Sequence, residues 1–330
     1  MKNVVFVIII TLSAFSLLEG VVRLLGLTGS FNADFKYYIR TIDNDLECSF
    51  NQENPLLMWS PKPNIEGNNS SGYRDKEYNL EKSSNCVRIL CLGDSSTYWG
   101  SYHELLEDKL NSAPGKSIKY EVINAGVTGY TSYQGLLMYK YYGEKYSPDI
   151  VLFYFGVNDH IKRFYLSDKE VIKTGLPPEV SVVINKYFNK FHTYRLYRKI
   201  VIATMQAISG RNKEEVARVS SSEYAENISE LNSLVKRNGA RLILISPPLN
   251  KKYENAEEYR FSQIVHYRSI LRKAAQDLSL PLLEIKEMTE ESNVPAQHLF
   301  SDMVHPNEEG NRLLCDRLFG FLESNALIAF

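Results

Sequence analysis

Short apolar runs alternate with segments of helical periodicity from residue 87 onward, and this alternation restricts the fold more than any other feature. Runs that are apolar throughout are typical of strands buried on both faces of a parallel sheet. Helical segments between such strands predict βαβ units. We therefore expect an α/β fold with a parallel sheet and helices on both faces. The predicted strands are Val87–Leu92, Tyr120–Ile123, Asp149–Phe155, Arg241–Ser246 and Leu282–Glu284.

The helical segments carry apolar side chains three or four residues apart, as at Leu106 and Leu110. One interval, 160–238, interrupts the alternation. We predict that it is an inserted helical subdomain rather than a separate fold. Within it, Val182–Ile208 is interpreted as one or two helices rich in Tyr, Lys and Arg, and Ser222–Lys236 as another. The remaining predicted helices are Tyr98–Leu110, Tyr133–Tyr146, Glu257–Leu278 and Asn307–Leu322.

The composition suits one large α/β domain with additional segments. The 330 residues are 44% hydrophobic and 23% charged, so the chain has enough apolar surface to bury a sizeable core. The formal net charge is −1 and the sequence has no long basic block. Both observations argue against nucleic acid as a partner.

The four cysteines, Cys48, Cys86, Cys91 and Cys315, include no C-x-x-C pair. Because zinc sites are typically built on such pairs, the sequence supports no zinc site, and no metal or organic cofactor is expected. Cys86 and Cys91 lie on opposite faces of one predicted strand and are not expected to pair with each other. A Cys48–Cys86 disulfide stays open for an exported domain, but unpaired buried thiols are favoured.

The N-terminal residues 1–27 predict a membrane anchor. Val4–Leu18 is an uninterrupted apolar to weakly polar run, and Val21–Leu27 extends it. Glu19 and Arg23, four residues apart, are placed to pair near the far interface. The alternative is a cleaved signal peptide, but no small-x-small cleavage site follows the run, so we favour an uncleaved signal anchor. We expect a single-pass protein of the cell membrane whose large domain is extracytoplasmic, in the periplasm or outside the cell.

Residues 28–84 look irregular, because their Asn-Pro, Ser-Pro-Lys-Pro and Gly-Asn-Asn-Ser-Ser-Gly clusters are typical of turns and loops. The aromatic residues of this segment argue against a free linker. We predict an irregular arm, 28–84, packed on the main domain, which spans 85–330.

Chemically active residues follow the predicted strands where each strand ends. Ser95 follows the first strand, Gly129 the second and Asn158 the third. Asp302 and His305 lie between the fifth strand and the last helix. Since ligands bind beyond the carboxyl ends of parallel strands, we expect these segments to converge on one edge of the sheet. A serine hydroxyl becomes a good nucleophile when a base takes its proton and a third group orients that base. The set predicts a serine esterase.

The chain resembles the SGNH hydrolases, also called GDSL-type lipases and esterases, over about residues 87–320. The resemblance lies in four blocks that stand in the family's order, each at the end of a strand or just before the last helix. These blocks are Leu92-Gly93-Asp94-Ser95, Asn124-Ala125-Gly126-Val127-Thr128-Gly129, Gly156-Val157-Asn158-Asp159 and Asp302-Met303-Val304-His305.

This resemblance implies a fold and a set of roles. The fold would be a flavodoxin-like three-layer α/β/α sandwich. Ser95 would be the nucleophile, His305 the base and Asp302 the partner that orients the base. The backbone N–H groups of Ser95 and Gly129, with the side-chain amide of Asn158, would form the oxyanion hole.

Two departures from the family pattern are present. Ser96 stands where a bulkier apolar residue is common, and the region between the third and fourth strands is enlarged. Because of the enlarged region, the family pattern does not assign the substrate. Another hydrolase class, the α/β-hydrolases, is disfavoured because its Gly-x-Ser-x-Gly elbow needs glycine at the position of Thr97.

Each of these residues also has a purely structural interpretation. Ser95 suits a helix N-cap, Asn158 and Asp302 suit turns, Gly129 suits a turn that needs glycine, and His305 suits a surface position. Their joint occurrence favours the catalytic interpretation.

We expect an extracytoplasmic serine esterase that removes or transfers small O-acyl groups, acetyl above all, through an acyl-enzyme. Its partners would be an ester-bearing substrate, namely an O-acylated polysaccharide or glycan, and the membrane. The substrate class rests on analogy with anchored members of the family. Two alternatives stay open: a lipase or small-ester esterase, and a non-catalytic glycan-binding or assembly factor of a membrane export complex.

Overall fold

In the computed structural model the chain divides into two units of unequal size. The first consists of Met1–Ser60 with Arg163–Val216, and the second of Pro61–Lys162 with Ala217–Phe330. The structure describes residues 2–27, 50–54, 56–65, 67–112, 118–162, 166–173, 180, 184, 187–188, 190–209, 215–285, 294–295 and 298–328.

Helices and strands are numbered in chain order. The strands are β1 Asn51–Asn54, β2 Met58–Pro61, β3 Cys86–Gly93, β4 Lys119–Gly126, β5 Ile150–Tyr154, β6 Arg241–Ile245 and β7 Leu282–Leu283. The helices are α1 Lys2–Leu24, α2 Ser95–Tyr98, α3 Tyr102–Asn111, α4 Ser132–Tyr141, α5 Asp168–Lys173, α6 His192–Ser209, α7 Ser221–Arg237, α8 Glu258–Leu278 and α9 Glu308–Ser324.

A five-stranded parallel sheet forms the centre of the second unit, in the order β4-β3-β5-β6-β7. Numbered within the sheet by chain order, this is 2-1-3-4-5, the flavodoxin-like order. Gly93 at the end of β3 pairs with Gly126 of β4 and with Tyr154 of β5. These three strands therefore end at the same level, at the point where strand order reverses and where ligands bind in such folds.

Helices cover both faces of this sheet. Ile89 and Cys91 on one face of β3 belong to a buried cluster with Leu106 of α3 and Leu318 of α9. Leu90 points to the opposite face, where α7 packs against α4, α8 and β6. The predicted three-layer α/β/α fold with a parallel sheet is confirmed.

One predicted helix is divided into two helices in the structure. Tyr98–Leu110 was expected to be continuous, whereas α2 ends at Tyr98 and α3 begins at Tyr102. The chain turns between them at Gly100, whose N–H donates to the Thr97 carbonyl over 3.2 Å. A Cβ at Gly100 would lie 2.9 Å from Oδ1 of Asn311, so the turn packs too closely on α9 for a larger residue.

Two short strands lie inside the arm that was expected to be irregular. β1 and β2 form a two-stranded sheet. Oδ1 of Asn54 accepts hydrogen bonds from the backbone N–H groups of Leu56 and Leu57, at 2.9 and 3.2 Å, and closes the turn between the strands. Four-residue strands carry too few side chains for a visible alternation, which is why the sequence did not reveal them.

The C-terminal part of the arm contacts the sheet of the second unit. The backbone N–H of Asn124 in β4 donates to Oδ2 of Asp75 over 2.9 Å, and the Tyr78 hydroxyl donates to the Val122 carbonyl over 3.1 Å. The rings of Tyr73 and Tyr146 lie 5.6 Å apart. Residues 28–49 lie outside the described part of the chain, so the limits 28–84 and 85–330 stay predictions.

The segment between β5 and β6 contains α7, which packs on β6, α4 and α8 within the second unit. The limits of the helical insertion, about 160–238, stay a prediction. The start of α7 is fixed by a capping box in which Ser220 and Glu223 bond each other's backbone N–H groups. Within the predicted interval, Arg163–Val216 falls in the first unit.

α1 is long and apolar enough to cross a membrane. Its segment Asn3–Leu24 has a mean hydropathy of 2.4 and almost all of it is exposed. Signal anchors and signal peptides both contain helices of this kind.

Candidate active site

Ser95 is the first residue of α2, directly beyond the end of β3. Asp94 caps this short helix, because its Oδ1 accepts a hydrogen bond from the backbone N–H of Ser96 over 2.9 Å. α2 lies against the end of β4: a Cβ at Gly126 would be 2.5 Å from the backbone nitrogen of Tyr98. The glycine thus lets the helix that carries Ser95 approach the sheet.

Asp302 and His305 lie in one closed loop before α9. Oδ2 of Asp302 is 2.6 Å from Nδ1 of His305. Oδ1 of Asp302 accepts from the backbone N–H groups of Val304 and His305, both at 2.8 Å. The Ser301 N–H donates to the His305 carbonyl over 2.9 Å and closes the loop. The carboxylate therefore orients both the backbone and the ring of the histidine.

The two segments meet although 210 residues separate them. Oγ of Ser95 is 2.7 Å from Nε2 of His305. Asp302, His305 and Ser95 thus form one continuous chain of hydrogen bonds. With Nδ1–H donating to the carboxylate, Nε2 is left as the nitrogen that can accept the serine proton.

The pKa shifts of this pair agree with that arrangement. Burial by itself raises the pKa of Asp302, but hydrogen bonds from the His305 ring and from the N–H groups of Val304 and His305 outweigh it and hold the pKa well below its usual range. Burial by itself lowers the pKa of His305, but the hydrogen bond to Asp302 and the charge of that carboxylate raise it above its usual value. The Asp302 carboxylate therefore stabilises the protonated imidazole.

Gly129 lies in a tight turn after β4. The Tyr130 N–H donates to the Val127 carbonyl over 3.2 Å, and Gly129 has φ +73°, which is the type II conformation that favours glycine. Arg218, a buried residue, donates from Nη1 to the Gly129 carbonyl over 2.7 Å. With the carbonyl held in this way, the neighbouring N–H of Gly129 makes no hydrogen bond within the described part of the chain.

Asn158 follows β5 and is 5% exposed. Its Nδ2 donates to the Tyr130 carbonyl over 3.1 Å, which ties the amide to the turn that contains Gly129. Since β3, β4 and β5 end in register, Ser95, Gly129 and Asn158 all lie beyond the same edge of the sheet. This edge therefore combines a serine, an imidazole–carboxylate pair and several N–H donors.

Residues 91–313, about two thirds of the chain, match the GDSL-like lipase/acylhydrolase family. The chain belongs to this family. It is an acylhydrolase, a carboxylic ester hydrolase, as the sequence predicted. No curated protein matches the acylhydrolase.

Solved structures similar to the acylhydrolase include several esterases. The acetyl xylan esterase AlAXEase is 18% identical, with a TM-score of 0.48, and the match covers 71% of this chain and 98% of that one. A lipase/acylhydrolase from Enterococcus faecalis is 16% identical, with a TM-score of 0.47 and coverage of 72% and 96%. Axe2, an acetylxylan esterase from Geobacillus stearothermophilus, is 16% identical, with a TM-score of 0.48 and coverage of 72% and 94%.

A second histidine of the acylhydrolase follows the Asn158 turn but has a packing role. His160 is 4% exposed, and its ring lies 6.4 Å from that of Tyr267. Burial lowers the pKa of His160 to about 4, so the ring is neutral at physiological pH. Its neighbour Asp159 accepts a hydrogen bond from the Ser132 N–H over 2.9 Å and thereby fixes the start of α4.

The described residues contain no group of three or more His, Cys, Asp and Glu side chains suited to hold a metal ion. Cys86, Cys91 and Cys315 are buried, and none of these three is bonded to another. Cys48 lies outside the described residues, so its pairing with Cys86 stays open.

Three supporting residues were not predicted from the sequence. Arg218 holds the Gly129 turn, as described above. Asn250 supports the other side of the site: its backbone N–H donates to the Met303 carbonyl over 2.9 Å. Ser96, noted only as a departure from the family pattern, donates from Oγ to the Val304 carbonyl over 3.4 Å. A sequence contains no signal for such contacts, because each joins segments that are distant along the chain.

Proposed function

We propose that the acylhydrolase is a membrane-anchored, extracytoplasmic serine esterase that removes small O-acyl groups, acetyl above all, from a polysaccharide or glycan. The observation that carries the catalytic part is the continuous hydrogen-bond chain from Asp302 through His305 to Ser95. In this proposal Ser95 is the nucleophile, His305 the general base and Asp302 the residue that orients the base.

The proposed reaction has two steps. Oγ of Ser95 bonds to the acyl carbonyl carbon while its proton passes to Nε2 of His305. The tetrahedral intermediate then breaks the bond to the sugar oxygen, which takes the proton from Nε2 and leaves as the alcohol. Water, deprotonated by the same nitrogen, then bonds to the acyl carbon of the acyl-enzyme. The bond from that carbon to Oγ of Ser95 breaks, Oγ takes the proton back from Nε2, and the free acid leaves. A sugar hydroxyl in place of water would give acyl transfer by the same machinery.

Negative charge develops on the carbonyl oxygen when Ser95 attacks, and it is stabilised best by hydrogen-bond donors that are already in position. The backbone N–H groups of Ser95 and Gly129 are proposed for this role, together with the amide of Asn158. Support comes from their common edge and from the bonds that hold two of them: Arg218 to the Gly129 carbonyl, and Asn158 to the Tyr130 carbonyl. Neither N–H group donates elsewhere within the described part of the chain.

The proposed location and substrate depend on α1. An exposed apolar helix of this length is unstable in water and stable across a bilayer. As an uncleaved signal anchor it would hold the enzyme at the cell surface, where O-acylated polysaccharides are accessible. A lipid or a small soluble ester is the competing substrate class.

The first experiment treats the full chain, purified in detergent, with a fluorophosphonate probe and measures intact mass. We expect one adduct in the wild type and none in Ser95→Ala or His305→Ala. Asp277→Asn, at an exposed position of α8, is the matched control and should be labelled normally. No adduct on folded wild-type protein would overturn the serine esterase and leave the glycan-binding or assembly role.

The substrate class is tested separately with the same preparation. Acetate release from O-acetylated xylan, with little activity on esters of long acyl chains, is the expected result. Preference for long chains would replace the polysaccharide with a lipid substrate while leaving the catalytic proposal intact.

A further inference from the structure

Within the first unit, a carboxylate of the apolar helix α1 caps the start of α6. Glu19 accepts hydrogen bonds from the backbone N–H groups of His192 and Thr193, at 2.9 and 2.8 Å, and from the Thr193 hydroxyl at 2.8 Å. Arg23 donates to the same carboxylate over 2.7 Å. The free N–H groups and positive dipole end of a helix are suited to bind an anion.

This cap accounts for an acidic residue inside an otherwise apolar helix. Glu19 is 9% exposed, whereas its neighbours Leu17 and Leu18 are 72% and 53% exposed. A carboxylate in a membrane helix is costly unless it is paired and hydrogen-bonded. Glu19 precedes the end of α1 by about 7.5 Å, at a rise of about 1.5 Å per residue, so the cap lies nearer the membrane surface than the membrane centre.

A ring contact joins the same two segments. Phe15, one turn before Glu19, packs edge-to-face on Phe191, with ring centroids 5.3 Å apart. α1 and α6 also pack on each other beyond this pair. Because α6 depends on α1 for its cap and its packing, these contacts favour retention of α1 in the mature protein.

The outward face of α6 is apolar. Tyr197, Ile200 and Ile208 are 47%, 55% and 60% exposed and lie within one stripe of the helix. The opposite face carries Arg198 and Ile202, which are buried. Just before the helix, Tyr187 and Phe188 are also exposed. Aromatic residues of this kind are enriched where a bilayer meets water.

The charged residues in and around α6 are all basic. Between Glu179 and Glu214 the sequence has no Asp or Glu. Basic segments of this kind beside a membrane helix are attracted to anionic lipid headgroups. The basic residues are Lys186, Lys190, Arg195, Arg198, Lys199, Arg211 and Lys213, of which Arg198 is buried and is not counted toward this attraction.

We infer that residues 187–209 form a second membrane contact, in which α6 lies on an anionic bilayer surface with its Tyr197–Ile200–Ile208 stripe in the lipid. Glu19 docks the start of α6 to α1 and so sets its depth. This inference rests on the proposed membrane insertion of α1 and adds to it a surface-bound helix specific for anionic lipid.

The test measures the depth of spin labels on the full chain in nanodiscs. Cys48→Ser removes the cysteine outside the described residues, and the other three are buried. Single labels are then placed at Ile200→Cys on the stripe, at Ile9→Cys within α1, and at Ser229→Cys on the exposed face of α7. Frequent collisions with oxygen, which concentrates in the bilayer, indicate that a label lies in lipid. Frequent collisions with a nickel chelate, which stays in solution, indicate that the label is exposed to water.

In nanodiscs with anionic lipid, the oxygen-to-nickel collision ratio at Ile200→Cys should be several-fold higher than at Ser229→Cys. A ratio equal to that of Ser229→Cys would overturn the inference, as would low collision with both reagents, which indicates coverage by protein. If Ile9→Cys is lipid-exposed in those cases, only the second contact fails. If Ile9→Cys is also in water, the anchor itself fails.

Two further arms test the lipid type and the cap. In purely zwitterionic nanodiscs the ratio at Ile200→Cys should fall, and an unchanged ratio would remove the anionic specificity. Glu19→Ala should lower it as well, whereas Thr11→Ala, an exposed position of α1 whose hydroxyl bonds only its own helix in the described structure, should not. Equal ratios in both variants would refute the docking role of Glu19. Unchanged fluorophosphonate labelling confirms that the second unit of each variant is folded.

Discussion

Asp302 contacts His305 through both carboxylate oxygens, one on the ring and one on the backbone. The ring contact raises the pKa of His305, whose usual value is 6.5. A base must be unprotonated to act, so a raised pKa moves the loss of activity in acid to higher pH. The same carboxylate also fixes which nitrogen faces Ser95.

We therefore predict that the acid limb of kcat/KM has its midpoint above pH 6.5 in the wild type. In Asp302→Asn the midpoint should shift to lower pH, and kcat should fall by about 10³- to 10⁴-fold because the imidazole loses its orientation. The measurement is a pH–rate profile for a soluble acetate ester. A midpoint that is unchanged in Asp302→Asn would contradict the proposed coupling.

Arg218 acts on the proposed oxyanion hole through the Gly129 carbonyl and also donates to Oε1 of Gln134 over 2.7 Å. Lysine keeps the charge but not the two-pronged geometry. Arg218→Lys should lower kcat by about 10- to 100-fold with little change in KM. A displaced Gly129 N–H would stabilise the negative charge of the transition state less well while leaving substrate binding nearly unchanged.

The matched control is Arg88→Lys. Arg88 lies on β3, far along the strand from Ser95, and is as buried as Arg218. It donates to the Tyr146 carbonyl and to the Glu121 carboxylate of β4. Both variants should lose thermal stability, but only Arg218→Lys should lose kcat per folded molecule. Equal losses of kcat in the two variants would show that Arg218 is merely structural.

At the scale of elements, α2 depends on the absence of a side chain at Gly126. A Cβ there meets the backbone nitrogen of Tyr98 at 2.5 Å and Cβ of Thr97 at 2.6 Å. Gly126→Ala should cost about 1–3 kcal/mol of unfolding free energy, since backbone must move. It should also slow labelling of Ser95, because α2 carries that residue.

Gly320→Ala provides the opposite case. Gly320 lies inside α9 with nothing within 4 Å of an added Cβ. Alanine there should stabilise the protein by about 1 kcal/mol through helix propensity alone. Denaturant unfolding of both variants is the measurement. Two changes of the same sign would contradict the close packing of α2 on β4.

The elements were predictable from the sequence to different degrees. The strands of the sheet were evident because each contains a short, mostly buried apolar run. The sequence also placed Ser95, Asp302 and His305 at one edge, since strand ends meet there. The break between α2 and α3 was not evident, because Gly100 packs both on the Ser96 carbonyl of its own turn and on Asn311 of a distant helix. Arg218 was hidden for the same reason, since its acceptor lies 89 residues away.

For the whole molecule, the decisive question is whether α1 is retained. Because Glu19 caps the start of α6, we predict that protein extracted from membranes keeps residues 1–27. A reporter that folds only outside the cytoplasm, fused after Phe330, should be active. Intact mass and reporter activity are the two measurements. A mass that lacks the N-terminal segment would support a cleaved signal peptide instead.

The contact between Glu19 and α6 joins residues 173 and 174 positions apart. During synthesis α1 therefore leaves the ribosome well before its partner exists. At about 5–20 residues per second, the interval is on the order of ten to thirty seconds. Arg23, four residues away on the same helix, emerges almost at once and is the partner available to Glu19 in that time. The ion pair within α1 can therefore form before α6 is synthesised, whereas the cap on α6 cannot.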